Sequence, residues 1–471
     1  MISMPLIWIG LPLLIGTALI PFTRYRKISI GIVSVVSLLL AIVALIFPSN
    51  LAIEAFGRRY EFNPLLSLLG RLIQVDYSDL TTIALLYVLT FAWNFISLRF
   101  KVSQYFAPLS LVTAALWVTM LSVEPFLYAA VIVTIIVLVS VPLISPRGET
   151  DQPGLFRYLI LQTLAKPLIL LSGWMLAGIG SAPSASPLII RAAVMVLLGF
   201  ALWLAVFPLH SWLPMISFES HPWVTSMLLG GRQLALLVYL LHFFDQFAWL
   251  RNLPNIFPSL QIIGLIMITI GGLSVASTKD FKRLFGYFFL IETGYSLLSI
   301  GLVTSGGLDY FALLFVPRFL CYWLWSFSLA ELADQAGFTE FSLEKLKGLF
   351  FNAPFLTVGL FVSVLAMAGA PVFVLFPVKR MVWMLAGSVD SRWLILLAIG
   401  TIAMIAFLMN FLRIVLSPIN QKINYNESLF AKIVVSGVVL IIVMVGIFPH
   451  VFLPPWIHLI DPFTNLLSTL Q

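Results

Sequence analysis

Charge is scarce in this chain of 471 residues: only 10% of them are Asp, Glu, Lys or Arg, while 61% are hydrophobic. That composition, with a mean hydropathy of +1.07, excludes an ordinary soluble domain. The net charge of +7 is small for this length. Because the basic residues lie in short loops, nucleic acid is excluded as a partner. The composition is typical of a multi-pass membrane protein.

Cysteine is nearly absent, because Cys321 is the only one. One thiol within an apolar run excludes an intramolecular disulfide and a multi-cysteine metal or iron–sulfur site in this chain alone. His210 and His221 have no second ligand at metal spacing, so we predict that they make loop hydrogen bonds and that the chain binds no metal. Glycine-rich phosphate loops, nucleophile elbows and dinucleotide fingerprints are also missing, and we expect no cofactor.

The chain is rich instead in apolar runs of roughly 18 to 25 residues, the length that crosses a bilayer as a helix. The runs predict about fourteen membrane helices. The predicted spans are residues 3–21, 28–48, 79–98, 105–122, 126–145, 156–180, 187–207, 223–243, 258–277, 283–303, 309–330, 353–376, 392–416 and 430–453. The first is as long as the others, so we interpret it as a membrane helix and not as a cleavable signal.

The basic residues of the short loops predict the orientation of the chain in the membrane. They fall in alternate loops: Arg24, Arg26, Lys27, Arg99, Lys101, Arg147, Arg157, Lys279, Lys282, Arg283, Lys345, Lys347, Lys422 and Lys432. We therefore predict that these loops are cytoplasmic and that both termini face outward. The loop with Arg58, Arg59 and Arg71 argues the other way, but it is longer, and longer loops count for less.

Proline pairs interrupt two apolar segments, the seventh at Pro208 and Pro214 and the twelfth at Pro371 and Pro377. Proline removes a backbone donor and clashes with the preceding turn. At membrane depth, irregular backbone is tolerated only against protein or a water-filled cavity. Two broken helices spaced five segments apart are typical of a transporter built from repeats, although two ordinary proline kinks would give the same pattern.

Three motifs resemble those of one family of membrane proteins. The first is "PLHSWLP" from Pro208 to Pro214, followed by "HPWVTS" with Pro222 and Ser226. The second consists of Asp280, Lys282, Arg283, Leu284, Tyr287, Gly294 and Tyr295, and the third of Ala368, Gly369, Pro371 and Lys379. In this order they resemble the antiporter-like membrane subunits shared by complex I (NADH:quinone oxidoreductase), Mrp-type Na+/H+ antiporters and membrane hydrogenases.

The resemblance implies an all-α polytopic membrane fold of about fourteen transmembrane helices. It implies two inverted five-helix repeats, helices 4–8 and 9–13, with helices 7 and 12 broken. The implied divisions are residues 1–104 for the first three helices, 105–243 and 258–416 for the repeats, and 417–471 for the last helix and tail. It further implies a path for protons or cations along a row of buried glutamate, lysine and histidine.

Most of that row is missing from this sequence. The positions at which the family carries titratable residues fall on Thr134 in the fifth helix, Trp203 in the seventh, Ala235 or Gly230 in the eighth, and Phe319 and Trp323 in the eleventh. Of the usual row only Lys379 remains. Neutral side chains cannot carry a proton by titration, so an ordinary relay is not expected in the first half of the chain.

Other ionisable residues do lie inside apolar runs, where each is costly unless it is paired or hydrated. Together with Lys379, we predict that Glu292, Lys166, Arg232 and Arg318 form a modified proton or ion path. Glu292 is either a titrating carboxylate or a static partner of Arg232 or Arg318. An arginine keeps its proton, so it suits fixed pairing better than proton transfer.

The two lysines have alternatives of their own. Lys166 is either a relay residue or a side chain that reaches an interface, and Lys379 is either a relay residue or, with Arg380 beside it, an interfacial anchor. For the whole chain we favour an antiporter-like subunit of a complex I-related assembly, at most one subunit of a proton-translocating NADH/quinone-type oxidoreductase. It would move protons or Na+ in a bacterial inner membrane or an equivalent energy-coupling membrane, driven by partner subunits. The alternatives are a non-conducting scaffold subunit and a membrane subunit for inorganic-carbon uptake.

Overall fold

The computed structural model describes residues 2–47, 52–55, 58–68, 70–145, 152–176, 187–335, 341–418 and 427–468. Arg147, Lys422 and the end of the predicted sixth span lie outside these ranges. The predicted orientation, which depends partly on the two basic residues, stays a prediction.

Helices make up most of the described chain. The first ten are α1 Leu11–Leu19, α2 Arg26–Ile46, α3 Leu80–Ile96, α4 Phe106–Ser122, α5 Ala129–Ile144, α6 Pro153–Leu176, α7 Pro187–Trp203, α8 Trp212–Glu219, α9 Pro222–Gln246 and α10 Ala248–Arg251. The others are α11 Ile256–Ser277, α12 Leu284–Gly301, α13 Gly307–Leu313, α14 Phe315–Asp334, α15 Leu349–Asn352, α16 Pro354–Met367, α17 Phe376–Val389, α18 Trp393–Val415, α19 Leu429–Ile447, α20 Pro449–Phe452 and α21 Thr464–Ser468.

Ten helical segments of the described residues are long and apolar enough to cross a membrane, and four shorter apolar helices accompany them. The shorter ones are Leu6–Leu19, Phe106–Ser122, Pro187–Trp203 and Pro354–Met367. The predicted all-α, multi-pass membrane fold is therefore confirmed. The inverted relation of the repeats and their boundaries stay predictions.

Six short strands, which the sequence did not lead us to expect, form two small sheets within the described residues. They are β1 Ile2–Ser3, β2 Ala52–Ala55, β3 Arg58–Asn63, β4 Leu65–Leu68, β5 Arg71–Gln74 and β6 Val123–Glu124. One sheet has the order β1-β3-β2 and the other the antiparallel order β4-β5-β6. Gly70, at the turn between β4 and β5, has a φ of +73°, a left-handed conformation that costs glycine little.

The chain divides into two compact units. Unit 1 comprises Met1–Leu204, Met227–Leu253 and Asp461–Ser468. Unit 2 comprises Ala205–Ser226, Pro254–Ile460 and Thr469–Gln471. The change from unit 1 to unit 2 at Ala205 falls in the segment between α7 and α8.

Glycine permits close helix contacts inside unit 2. A Cβ atom at Gly264 on α11 would lie 2.6 Å from the carbonyl oxygen of Gly294 on α12. A Cβ atom at Gly272, also on α11, would clash with the carbonyl oxygen of Gly400 on α18. Small residues at such contacts are the usual means by which membrane helices approach closely, since van der Waals packing drives their association. Helix α11 is thereby held between α12 and α18.

Candidate functional site

The predicted twelfth helix is broken into α16 and α17 by residues 368–375. Pro371 lacks a backbone N–H, so the helical hydrogen-bond ladder cannot continue through it. Gly369 has a φ of +77° and Val372 a φ of +79°. This region is accessible to glycine but strained for a β-branched residue. At the end of α16 the carbonyls of Leu365 and Ala366 accept the N–H groups of Ala370 and Gly369, so the carbonyl of Met367 is the one left for a side-chain donor.

Lys379, in the first turn of α17, binds the free carbonyl of Met367. Its buried Nζ donates to the carbonyl oxygen of Met367 over 2.5 Å and to Oε1 of Glu292 over 2.6 Å. It also lies 4.3 Å from the centroid of the Tyr295 ring. A cation at the C-terminal end of a helix is favoured by the helix dipole, so the broken helix provides a place for the lysine charge.

Glu292 on α12 is shared between two cations. Its Oε2 lies 3.2 Å from Nε of Arg318, while its Oε1 binds Lys379, and the glutamate and arginine side chains are at most 1% exposed. Nη2 of Arg318 donates to the backbone oxygen of Glu292 and to Oγ of Ser296, each over 2.9 Å. We call Glu292, Arg318 and Lys379 the triad. With both bases protonated, it carries a net charge of +1.

We predicted Arg318 as a possible partner of Glu292 from the sequence, but we did not predict the contact with Lys379. Ser296 also went unnoticed, although it lies one helical turn after Glu292 on the same face, a spacing that could have revealed it. The Met367 carbonyl belongs to the backbone and has no sequence signal of its own. It becomes available only because the helix breaks there.

A cavity of about 630 Å³ opens beside Lys379 within unit 2. Its lining includes Tyr295, whose hydroxyl accepts a hydrogen bond from Nε1 of Trp383 over 3.0 Å, and also Gly369 and Thr401. The volume far exceeds the space that a water molecule needs, and Lys379 and the hydroxyl groups of Tyr295, Ser388 and Thr401 provide polar partners. Water in this cavity would therefore be within reach of the triad.

Arg232 on α9 lies in unit 1 and is 2% exposed. Its guanidinium donates to the hydroxyl of Tyr158 over 3.3 Å, to the carbonyl oxygen of Trp203 over 3.1 Å and to Oε1 of Gln162. These three acceptors are neutral and come from α6 and α7. Because arginine keeps its proton, this arrangement anchors three helices to one another and does not by itself transfer protons.

Lys166 follows Gln162 by one turn on α6 and is half-buried. Its ammonium makes no hydrogen bond or ion pair with any residue that the structure describes. Lys166 and Arg232 belong to unit 1, whereas the triad belongs to unit 2. Of the five predicted path residues, the structure thus brings three into one cluster.

The neutral residues that the sequence resemblance predicts at the family's titratable positions make ordinary structural contacts. Thr134 donates its hydroxyl to the carbonyl oxygen of Ala130, one turn earlier in α5. Nε1 of Trp203 donates to the carbonyl oxygen of Gln162 over 3.2 Å. The ring of Trp323 stacks on Phe327 at 5.3 Å. These positions are filled by packing side chains.

The predicted break in the seventh helix also exists. Helix α7 ends at Trp203 and α8 begins at Trp212, with Pro208 between them. Ala205 has a φ of +55°. Among the described residues only Ala205 and Val372 combine a positive φ with a side chain, and each lies in one of the two breaks. Strain of this kind concentrates where the surrounding structure enforces an irregular backbone.

Two of the sequence motifs meet inside unit 2. Helix α8 packs on α12 so closely that a Cβ atom at Gly286 would lie 2.5 Å from the backbone nitrogen of Pro214. Just before α12, Oδ1 of Asp280 accepts the N–H groups of Lys282 and Arg283. The "PLHSWLP" segment and the segment that begins at Asp280 therefore form one packed structure.

His221 makes a contact of the kind predicted for it, although the sequence did not indicate that Asp334 would be the partner. Its Nε2 lies 3.2 Å from Oδ2 of Asp334, and its Nδ1 accepts the N–H of Trp223. In the part of the chain that the structure describes, no group of three His, Cys, Asp or Glu side chains is arranged to hold a metal ion.

Comparison with known proteins places these features in one family of sequences. The model of the family described as NADH:quinone oxidoreductase/Mrp antiporter, transmembrane, matches residues 154–406. NADH-quinone oxidoreductase subunit N of Chromohalobacter salexigens is 26% identical over 292 residues, which are 59% of this chain and 56% of that protein. The subunit N of Buchnera aphidicola subsp. Schizaphis graminum is 25% identical over 360 residues, 67% and 68% of the two chains. The match thus spans little more than half the length of the first relative.

Solved structures resemble almost the whole chain in fold. A chain of an archaeal membrane-bound sulfane sulfur reductase matches with a TM-score of 0.80 at 15% identity, covering 99% of this chain and 98% of that one. A chain of the Mrp complex from Dietzia sp. matches with a TM-score of 0.80 at 16% identity, covering 99% of each. A chain of respiratory complex I from Thermus thermophilus matches with a TM-score of 0.75 at 20% identity, covering 98% and 100%.

Proposed function

The chain belongs to the NADH:quinone oxidoreductase/Mrp antiporter membrane family, and from that premise we propose that it moves protons as an antiporter-like subunit of a complex I-related assembly. The observation that carries the proposal is the contact between Lys379 and Glu292, 2.6 Å apart and buried beside a broken helix. A lysine in this setting can exchange a proton with water in the adjoining cavity. Partner subunits would supply the energy, as the relatives' place in a NADH-quinone oxidoreductase suggests.

The charges of the triad suit one proton per cycle. When Lys379 is protonated, two cations share one carboxylate and the net charge is +1. When Lys379 gives up its proton, Arg318 and Glu292 remain as a neutral ion pair, held by the further bonds to the Glu292 carbonyl and to Ser296. Arginine keeps its charge in both states. The titrating group is therefore Lys379, and Arg318 keeps Glu292 in place while the lysine changes state.

The proton step is assigned to unit 2 alone. In unit 1 the acceptors seen around Arg232 are a phenol, an amide and a carbonyl. Thr134 and Trp203 stand where the family carries titratable residues. The first half of the chain would then have a structural role only. A continuous proton path across the membrane would need titratable groups or water in addition to the triad.

A scaffold without conduction is the second candidate, and the contacts of Arg318 favour it. Three hydrogen bonds fix this side chain to a single turn of α12, which is what a static connection between helices requires. Conduction and scaffolding differ in one respect: only conduction needs Lys379 to change its protonation state.

Lys379→Met tests the proposal in the assembled complex. The complex would be reconstituted into vesicles that contain a pH-sensitive dye, and a pH step would be imposed from outside. We expect the flux to fall at least tenfold while assembly is retained. The matched control is Lys432→Met, which removes a lysine from α19 whose Nζ lies 5.7 Å from the Phe355 ring centroid. Unchanged flux in the fully assembled Lys379→Met complex would leave only the scaffold.

A further inference from the structure

The cavity between α17 and α18 carries charge that the proton step does not use. Two cations line it, Lys379 and Arg380, and its lining within the described residues includes no acidic side chain. Lys379 is committed to the triad. Arg380 is exposed and forms no ion pair or hydrogen bond with any described residue.

Two helices indicate the depth of this arginine in the membrane. In helix α17, Arg380 lies about 14 Å, at 1.5 Å per residue, from Val389, where the helix ends before a polar turn in which Arg392 and Asp390 form an exposed pair. Helix α18 begins at Trp393 after the same turn and reaches Thr401, in the lining of the same cavity, after about 12 Å. The hydrocarbon core of a bilayer is about 30 Å thick. With the exposed Arg392–Asp390 turn taken as the edge of that core, we infer that Arg380 lies near its middle.

A charged side chain at this depth needs a partner. Charges in the bilayer centre are expensive, and those that occur face protein or water and pair with one another. Water in the cavity can hydrate the Arg380 guanidinium but does not neutralise its charge, which a carboxylate would do. Lipid phosphates lie at the headgroup level, about half the thickness of the membrane away from Arg380. The acceptor that fits a guanidinium best is a carboxylate, which can accept two parallel N–H bonds.

We propose that a membrane-spanning helix of a neighbouring subunit packs against the outer edge of the α17–α18 cavity and brings an aspartate or glutamate to Arg380, while the part of the cavity beside Lys379 keeps its water. The cavity wall includes Gly387 and Ser388, small residues that let two helices approach closely. Met384, 56% exposed, lies in the same wall and would contact the incoming helix. The proposal rests on the proposed function only in that an assembly exists, because the ion pair at Arg380 need not transfer protons.

Photo-crosslinking in cells tests the surface. Met384 is replaced by a benzophenone amino acid in the full chain, the cells are illuminated, and the crosslinked peptides are identified by mass spectrometry. The expected product joins this chain to a membrane segment of another subunit that contains Asp or Glu. The matched control places the same amino acid at Ile433 on α19, which is 62% exposed. Crosslinks from position 384 to lipid alone, or to a segment without an acidic residue, would overturn the proposal.

Charge exchange then tests the ion pair. We expect Arg380→Glu to lower the crosslink yield at least tenfold, and Arg380→Gln to lower it less. Replacing the acidic residue of the crosslinked peptide by arginine should restore the yield of Arg380→Glu but not that of Arg380→Gln. Arg392→Gln, in the exposed turn, should change nothing. A wild-type yield in Arg380→Gln would refute the pair even if Arg380→Glu failed to fold.

The proton-transfer proposal and the docking proposal can be refuted independently of each other. Loss of the crosslink with normal Lys379-dependent flux would remove the docking site and leave the proton step. A normal crosslink with flux that does not respond to Lys379→Met would remove the proton step and leave the docking site.

Discussion

Glu292→Gln should destabilise unit 2 more than any other single neutralisation within the triad. The substitution keeps the size of the side chain but leaves Arg318 and Lys379 buried without the carboxylate that they share. Breaking a buried ion pair by removing one partner costs about 3–5 kcal/mol, because an uncompensated charge remains in the interior. Here two cations lose their partner at once, so the upper part of that range is expected.

Lys379→Met should cost far less, because it removes the excess charge and leaves Arg318 and Glu292 as a neutral pair. A hydrogen bond to a charged group contributes about 1.5–3 kcal/mol. Removing a buried charge and placing a methionine of similar length there offsets much of this loss. We expect a net cost below about 1.5 kcal/mol. The variant Glu292→Gln/Lys379→Met should be more stable than Glu292→Gln alone, since it contains one unpaired cation and not two.

Thermal unfolding of the purified protein in detergent, at one fixed scan rate, measures this order. For a unit of this size, 1 kcal/mol corresponds to roughly 2–4 °C in the unfolding midpoint. Glu292→Gln should lower the midpoint by about 8–20 °C and Lys379→Met by less than about 6 °C. Equal losses in the two variants would refute the assignment of a net charge of +1, because Lys379 would then be needed to balance the site.

Three further changes test other parts of the structure. Gly369→Ala should lower the free energy of unfolding by about 1–2 kcal/mol, because residue 369 has a φ of +77°. It should also reduce proton flux, because the new Cβ would lie 3.2 Å from Cδ of Lys379. Unchanged flux and an unchanged unfolding midpoint would contradict this prediction. Arg232→Met should cost about 1–3 kcal/mol in thermal unfolding by leaving the oxygen of Gln162 unpaired, without altering the response of flux to Lys379→Met. Glu427 lies outside the membrane spans, and burial raises its pKa above the ordinary 4.5, so its folded form holds a proton more tightly than the unfolded chain. Wild-type stability relative to Glu427→Gln should therefore fall as pH rises above 4.5, and a constant difference between pH 4 and 8 would contradict the assignment.

The parts of the fold that follow from hydrophobic run length could be predicted from the sequence. A long apolar run has few alternatives to a membrane helix, and the prolines at Pro208 and Pro371 cannot continue one. The strands between residues 52 and 74 could not be found in this way. They are short, and although β2 pairs with β3 and β4 with β5 locally, each sheet is completed by a strand from elsewhere in the chain, β1 or β6.

The candidate site was predictable in its charges but not in its contacts. Any ionisable residue within an apolar run demands a partner, which singled out Glu292, Arg318 and Lys379 separately. Their grouping depends on where α17 starts after the break, and the sequence does not specify that geometry. The same limit applies to Asp334, whose contact with His221 joins residues far apart in the chain.

The division of the chain has a consequence for its synthesis. Asp245, near the end of α9, accepts the N–H of Leu466 and the side-chain amide of Asn465, so a late segment completes unit 1. The intervening residues 254–460 belong to unit 2. At a translation rate of roughly 5–20 residues per second, residues 461–468 leave the ribosome about 10–40 s after residue 253. During that interval unit 1 lacks residues 461–468 while unit 2 is being inserted into the membrane. Assembly factors or proteases would bind the incomplete unit 1 in this period.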